Sequence, residues 1–262
     1  MCYHLPMTEI LSPSSITRSL KTSFIGRKVF YYPTVASTMD TAQQAARQGA
    51  ANGTVIIAGE QTAGKGRMKR NWLSPPGNIA MSVVLYPDIA FLPYLVMIVS
   101  LAAVHSIEAV TKLKPQIKWP NDILIDGKKV GGILIENEIK GERVAYSIVG
   151  IGINIDLDVA SHPEISDTAA SLRAAPDDSL RIKIIRSLLA EFEKLYIKLP
   201  DGRPIFNAWR DRLITLGKKV KAISSQEVIE GTADSVDETG ALMIRRADGT
   251  LTKVVAGDVT LK

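Results

Sequence analysis

Cysteine is almost absent from this chain of 262 residues, with Cys2 the single one. No internal disulfide and no cysteine-based zinc site can be built, and such usage fits a reducing compartment, with the cytoplasm as the expected location. Histidine is nearly as scarce. His4, His105 and His162 lie far apart and match neither H-E-x-x-H nor any other ligand spacing, which argues against a zinc enzyme and leaves them as bystanders. A long clean apolar run is also missing. The most apolar window, Leu95 to Val110, is interrupted by Ser100, His105, Ser106 and Glu108; it falls short of the roughly eighteen apolar residues of a membrane span and reads as a buried helix. The opening MCYHLPMTEI lacks the basic start, apolar core and small-residue cleavage site of a secretory signal. No internal repeat or low-complexity tract is present.

What remains is an ordinary globular composition, 46% hydrophobic and 23% charged, with 32 basic against 27 acidic residues and a net charge of +5 that suits an anionic ligand. Ser12 and Pro13 open a short helix from Leu11 to Leu20. Val29 to Tyr32 reads as a strand. Ser37, Thr38 and Asp40 then start a helix that Gly49 stops, with Thr54 to Ala58 as the next strand. Ile79 to Tyr86 reads as β, Leu92 to Thr111 as a long helix and Ile117 to Trp119 as a short β segment. Ile123–Ile125, Val130–Ile139 and Val144–Ile155 form a meander through Asp126-Gly127-Lys128 and Lys140-Gly141-Glu142, which favours a mixed, largely antiparallel sheet. Beyond a polar loop from Asp156 to Asp167, Ser179 is placed to cap a helix striped by Ile182, Ile185, Leu188, Leu189, Phe192 and Leu195. A helix from Pro204 to Leu213 follows. From Lys218 the chain turns to short β runs, so the expected division is a helical extension (1–24), a main α+β domain (25–216) and a small β domain (217–262).

The most unusual stretch is Gly64-Lys65-Gly66-Arg67-Met68-Lys69-Arg70-Asn71-Trp72, with four cations in six residues. Glycine permits positive φ and close backbone approach, and Lys and Arg neutralise phosphate oxygens, so the segment reads as an anion loop. Charge alone equally allows a solvated basic turn or a nucleic-acid contact strip. Two phosphate motifs fail here. Gly59, Gly64 and Lys65 almost spell a P-loop, but Gly66 stands where a Mg²⁺-binding hydroxyl belongs. Lys69 replaces the third glycine of a dinucleotide fingerprint begun by Gly64 and Gly66, and Ile155 does so after Gly150 and Gly152. A second cluster, Lys118-Trp119-Pro120-Asn121-Asp122, precedes Lys129, Gly131, Gly132 and Glu136. Each residue alone reads as core or turn chemistry, but two glycines in a β-branched strand leave room for a ligand or another backbone.

Together these stretches resemble the biotin protein ligases. The loop is similar to that family's G-R-G-R-x-x-R-x-W, and K-W-P-N-D is similar to its second hallmark. Ser37-Thr38, Gln61, Gly150, Gly152, Asn154, Thr168 to Leu172 and Ala256 to Val259 extend the likeness to about residues 25–262. The resemblance implies a class II aminoacyl-tRNA synthetase-like biotin/lipoate ligase fold with a small carboxy-terminal SH3-like β barrel. It implies that Ser37, Thr38 and Gln61 hydrogen-bond the ureido ring of biotin, and that Gly64, Gly131, Gly132 and Gly152 border the ligand. Arg67 would lie where carboxylate meets phosphate, with Lys65 and Arg70 as further cations and Trp72 anchoring the loop. Lys129 would contact the biotin carboxylate and then the adenylate, Asn121 and Asn154 the nucleotide, and Asp122 would assist the incoming lysine amine.

The implied reaction explains the composition. A carboxylate is a poor acyl donor, so ATP converts it to an acyl-adenylate with loss of pyrophosphate, and a lysine of a biotin carboxyl carrier protein then displaces AMP. Charge gathering at the α-phosphate calls for the loop cations and for Mg²⁺ brought by the ATP phosphates rather than by a protein-only site. The mixed anhydride must also be shielded from water, which suits a glycine-containing loop. Lys65 departs from the family's commoner arginine, which loses the planar two-pronged contact, and Met39 replaces a frequently polar neighbour of Ser37-Thr38. Fewer than thirty residues precede Gly26, so no operator-DNA binding is expected; a homodimer is compatible. A lipoate or octanoate ligase of the same fold, a nucleic-acid-binding protein and a biotin-retaining module without turnover are the alternatives.

Overall fold

The computed structural model describes residues 10–172, 178–223 and 227–261. Cys2 and His4 lie outside the described residues. Helix α1 (Pro13–Thr17) is closed by a reciprocal cap in which the Ser15 N–H donates to Ser12 Oγ (3.1 Å) and the Ser12 N–H to Ser15 Oγ (2.9 Å). It belongs to the main core, since it packs on the later helix α4 and its Ile16 is fully buried. The elements that follow are β1 (Val29–Val35), α2 (Thr38–Arg47), β2 (Val55–Gln61), β3 (Ile79–Leu85), α3 (Leu92–Thr111), β4 (Gln116–Lys118), β5 (Asp122–Ile125), β6 (Lys128–Lys140) and β7 (Arg143–Ile153). They build a seven-stranded sheet in the order β1-β2-β3-β7-β6-β5-β4, in which β1 and β2 are parallel and every other pair is antiparallel. Asp126 and Gly127 both take positive φ, 50° and 77°, as a tight hairpin turn requires.

Helices α4 (Asp178–Tyr196) and α5 (Arg203–Arg210) complete the main body. Ser179 is not the cap of α4 but lies inside its first turn. Helix α5 ends before Leu213 because the chain there is drawn to β4: the Ile117 N–H donates to Arg212 O (3.1 Å) and the Ile214 N–H to Ile117 O (3.0 Å). By length and composition α3 does pass for a membrane-crossing helix, contrary to the sequence expectation. Its serines do not interrupt it, because Ser100 and Ser106 donate to the carbonyls of Val96 and Ala102 within the helix (2.6 Å each). Burial decides its place. Leu95, Ile98, Leu101 and Val104 are wholly enclosed and α3 packs against α4, α5 and the sheet. His105 and His162 sit beside Glu191 and Glu164, each at 3.6 Å.

The carboxy-terminal strands β8 (Lys219–Ile223), β9 (Val228–Val236), β10 (Leu242–Arg245), β11 (Leu251–Val254) and β12 (Asp258–Leu261) form a five-stranded antiparallel sheet in the order β11-β10-β9-β8-β12. It is moored to the main body through Trp119, which is 1% exposed and whose indole N–H donates to Gly240 O (2.8 Å). The Trp119 backbone N–H is met by the buried Thr215 hydroxyl (2.9 Å).

Strand alternation sorts the two faces of the main sheet. Val55, Ile57, Met81, Val83, Val149, Ile151 and Ile153 form one core with α3 and α4, while Ile56, Val84 and Ile148 form a smaller core with Met39, Ala42 and Ala46 of α2. Farther along the α2 side the alternating positions are small. The register sets Ala80 beside Gly152, Ser82 beside Gly150 and Gly132 beside Gly152, which leaves a hollow in front of the sheet.

Candidate active site

The basic loop folds over this hollow as a tight hairpin. The Trp72 N–H donates to Gly64 O (2.8 Å), the Gly66 N–H to Arg70 O (2.8 Å) and the Arg70 N–H to Arg67 O (3.1 Å). Gly64 is required for close approach, because a Cβ there would lie 2.3 Å from Trp72 O. The left-handed backbone falls instead on Met68 (φ 53°) and Lys69 (φ 59°), not on the glycines from which positive φ was expected. At the end of the hairpin the Trp72 indole lies on the glycine wall: a Cβ on Gly152 would be 2.4 Å from the ring and one on Gly132 3.2 Å. Lys129 completes the stack, with Nζ 5.3 Å from the ring centroid and 2.6 Å from Asp122.

Of the loop cations Arg67 is half-buried, while Lys65, Lys69 and Arg70 are exposed. Arg67 donates to Asn121 Oδ1 (2.9 Å), whose side-chain amide donates to Ile133 O (2.7 Å), so the K-W-P-N-D turn holds the loop from below. Burial lowers the Arg67 pKa from its ordinary value, and Asp122 and Asp258 oppose that. Arg70 pairs with Asp258 at the start of β12 (2.7 Å). Burial acts to raise the Asp258 carboxyl, but the Arg70 hydrogen bond and the charges of Arg70, Lys118 and Lys129 hold it below the ordinary range. Lys65 forms an ion pair with Asp40. At the opposite end the site is neutral: Thr38 donates to Gln61 Oε1 through both its N–H (2.8 Å) and its hydroxyl (3.0 Å).

These groups border a cavity of about 120 Å³ enclosed by Thr38, Met39, Gln61, Leu134 and Trp72, which shares Trp72, Asp122, Lys129 and Asp258 with a neighbouring groove of about 940 Å³. The cavity combines hydrogen-bonding groups (Thr38, Gln61), apolar ones (Met39, Leu134) and positive ones (Lys65, Arg67, Lys129). A small polar ring on an apolar chain ending in a carboxylate fits that combination, with phosphates beyond it.

The family model for the biotin/lipoate A/B protein ligases matches residues 31–154, and that for the biotin protein ligase C terminal domain matches residues 215–262. A bifunctional ligase/repressor BirA of Bacillus spizizenii is 38% identical over 258 residues, spanning 96% of this chain and 79% of the relative. The chain belongs to the biotin/lipoate A/B protein ligase family. A biotin–[acetyl-CoA-carboxylase] ligase of Mycobacterium tuberculosis is 31% identical over 95% of this chain and 96% of its own length. The biotin protein ligase from Aquifex aeolicus in complex with biotin and ATP superposes with a TM-score of 0.72 at 26% identity, covering 90% of this chain and 99% of that one.

Against this family frame, Thr38, Gln61, Lys65, Arg67, Asn121, Asp122, Lys129, Gly132 and Gly152 border the cavity, and Gly64, Arg70, Trp72 and Asn154 border the groove. Two expected residues stand apart. Ser37 is 1% exposed and caps α2, accepting from the Met39 N–H (3.3 Å). Gly131 faces the helix-packed core, where a Cβ would meet Gly152 O at 3.0 Å and Ile123 and Ile153 at 3.5 Å, so it does not border the hollow. Successive strand residues point to opposite faces, and Gly132 has the site side. Three further residues complete the arrangement: Asp258 and Asp40 as partners of loop cations, and Ser82, which supports Thr38. Their signal in the chain is weak, since each is a common residue made special only by a partner distant in sequence. Among the described residues no group of three or more His, Cys, Asp or Glu is placed to hold a metal ion.

Proposed function

We propose that this chain activates biotin with MgATP, forming biotinyl-5′-adenylate with release of pyrophosphate, and then transfers the biotinyl group to a lysine of a biotin carboxyl carrier protein. The observation that carries the reading is the Trp72 stack, which holds Lys129 where cavity and groove meet, in the same cavity that Arg67 borders and that Thr38 and Gln61 line with neutral hydrogen-bonding groups. In this reading Thr38 and Gln61 meet the ureido ring, and Met39, Leu134 and Trp72 enclose the ring and chain. Arg67 and Lys129 hold the biotin carboxylate against the α-phosphorus, and Arg70 with Asn121 and Asn154 borders the nucleotide. The carboxylate oxygen attacks the α-phosphorus and pyrophosphate departs; the carrier amine then attacks the carbonyl carbon and AMP departs. Mg²⁺ arrives with the ATP phosphates and neutralises their charge. Asp122 first anchors Lys129 and, once that lysine turns to the adenylate, is free to take the proton of the incoming amine.

Residues 25–216 bind both substrates in this scheme, and residues 217–262 reach the nucleotide side through Asp258. The cytoplasm supplies ATP and the carrier. A homodimer along β6, whose strand pairing with β5 ends at Gly132, belongs to the same proposal. Pairing of Arg67 with Asn121, Arg70 with Asp258 and Lys65 with Asp40 disfavours a nucleic-acid strip. The donors at the neutral end disfavour lipoate or octanoate, which carry no carbonyl acceptor there.

The test is intact-mass spectrometry of a carrier domain incubated with the protein, MgATP and either biotin or lipoate. A biotin-sized shift that Arg67→Ala abolishes is the expected result. No shift with either acid, together with no pyrophosphate release, overturns the reading.

A further inference from the structure

Ser82 lies on β3 opposite Gly150, entirely buried, and does not line the cavity. Its hydroxyl donates to Thr38 Oγ1 (2.8 Å), and Thr38 Oγ1 in turn donates to Gln61 Oε1 (3.0 Å). The order of donors in this chain is fixed by one group that cannot reverse. The Thr38 backbone N–H is a donor only and points at the same Gln61 oxygen (2.8 Å), so that atom is the amide oxygen and the Gln61 NH₂ faces away from Thr38. That NH₂ lies 3.0 Å from the point where a Gly64 Cβ would be, on the side of the ligand loop. With Ser82 occupying a lone pair of Thr38, the Thr38 proton is directed at Gln61. Without Ser82, the Thr38 hydroxyl is free to turn.

We propose that Ser82 is a positioning residue that holds the Thr38 hydroxyl to the proton order fixed by the Thr38 backbone N–H, so that the Thr38–Gln61 side of the cavity offers the Gln61 N–H donors and selects a ring bearing a carbonyl acceptor. The inference rests on the biotin reading and deepens it. It identifies why a cyclic urea is accepted and why a ring presenting N–H groups in place of the carbonyl oxygen is refused. A buried site with fixed donors discriminates strongly against a group that leaves them unpaired.

The test compares biotin with 2-iminobiotin, whose C=NH replaces the urea carbonyl, in acid-dependent pyrophosphate release. Ser82→Ala is expected to raise the KM for biotin roughly three- to tenfold, the worth of about one buried hydrogen bond, with kcat and the KM for ATP within about twofold. It should also narrow the preference for biotin over 2-iminobiotin by a similar factor, because the released Thr38 hydroxyl can then accept from the imino group. Ser82→Thr should restore the preference, and Ser82→Ala should add nothing in a Thr38→Val background, since Ser82 acts through Thr38. If Ser82→Ala folds poorly, Ser82→Cys keeps the volume with a weak donor and carries the same expectation. An unchanged biotin to 2-iminobiotin ratio in Ser82→Ala or Ser82→Cys, or additive effects with Thr38→Val, reduces Ser82 to packing and overturns the proposal. Absence of biotin-dependent pyrophosphate release by the unmodified chain would instead overturn the biotin reading itself.

Discussion

Replacing Gly152 by alanine isolates the contact on which the site is built. The new Cβ would lie 2.4 to 2.6 Å from three atoms of the Trp72 indole, whereas ordinary contact begins near 3.4 Å, so the ring must retreat by about 1 Å. The sheet cannot give way, because β7 is paired on both sides, but Trp72 sits on a surface loop and is half-buried. The stability terms nearly cancel. Alanine in a strand interior gains roughly 0.5–1 kcal/mol over glycine, and loss of the Lys129 stack costs roughly 0.5–1 kcal/mol. Catalysis has no such compensation, since a misplacement of about 1 Å at a reacting centre costs on the order of 10²-fold. Adenylate formation, followed by biotin-dependent pyrophosphate release, should therefore fall about 10²-fold while the urea midpoint hardly moves. Iodide quenching reports the displacement directly, because Trp119 and Trp209 are each 1% exposed and leave Trp72 as the accessible indole. Gly132→Ala, with contacts of 3.2 Å to both Trp72 and Lys129, should give a smaller effect of the same kind. Wild-type kinetics and quenching in Gly152→Ala would refute the role of the stack, and a loss of more than about 3 kcal/mol in stability would show that the loop cannot yield.

The Asp237 carboxyl is subject to burial, which would raise it, yet hydrogen bonds from Lys253, Thr239 and the Ala241 N–H lower it to about 2. A carboxyl depressed in the folded state stabilises above its unfolded value near 3.9 and loses that contribution as pH falls toward 2. Urea unfolding should show Asp237→Asn less stable by about 1 kcal/mol at pH 7, after allowance for solvent screening, with the gap closing between pH 4 and pH 2. Glu193 of α4 is 5% exposed and accepts the backbone N–H groups of Ser23, Phe24 and Ile25. Glu193→Ala orphans all three and should cost about 3 kcal/mol in denaturant unfolding; a loss below about 1 kcal/mol would contradict that accounting. Lys65→Arg restores a planar, two-pronged donor at the loop and should slow escape of the adenylate several-fold, read by trapping free intermediate with hydroxylamine; faster escape would show that the Asp40 pair is what holds the loop.

What was legible in the chain, and what was not, follows from the range of the physics involved. Periodicity and turn chemistry are local, so α3 begins and ends as read, the β5–β6–β7 meander stands, and the main sheet is mixed and largely antiparallel. Helix ends that depend on a distant partner were not legible: α5 stops early because β4 takes the carbonyl of Arg212. The same distinction runs through the site. Arg67, Asn121 and Lys129 stand in dense, unusual segments, Thr38 and Gln61 were legible only through the family likeness, and all five converge on one cavity. Asp258 lies in the Ala256 to Val259 stretch of the likeness, but its role, like that of Ser82, was not legible, because one gains its place from a sheet docked through Trp119 and the other from register with Gly150.

The glycine pair shows how much of this could have been carried further. In a strand, Gly131 and Gly132 face opposite ways, so a side chain added at only one of them would enter the hollow. Choosing between them needs the β6–β7 register, which sets Gly132 against Gly152 and puts both under Trp72. Once that register is known, the small residues at 80, 82, 132, 150 and 152 form one requirement: a hollow on one face of a sheet whose other face is filled by large aliphatic side chains. The hollow admits an indole, the indole positions a lysine, and the lysine marks the point where a carboxylate and a phosphate can meet. Enlarging Gly132, Gly150 or Gly152 should therefore impair ligand binding before it impairs folding, whereas enlarging Gly131 should do the reverse.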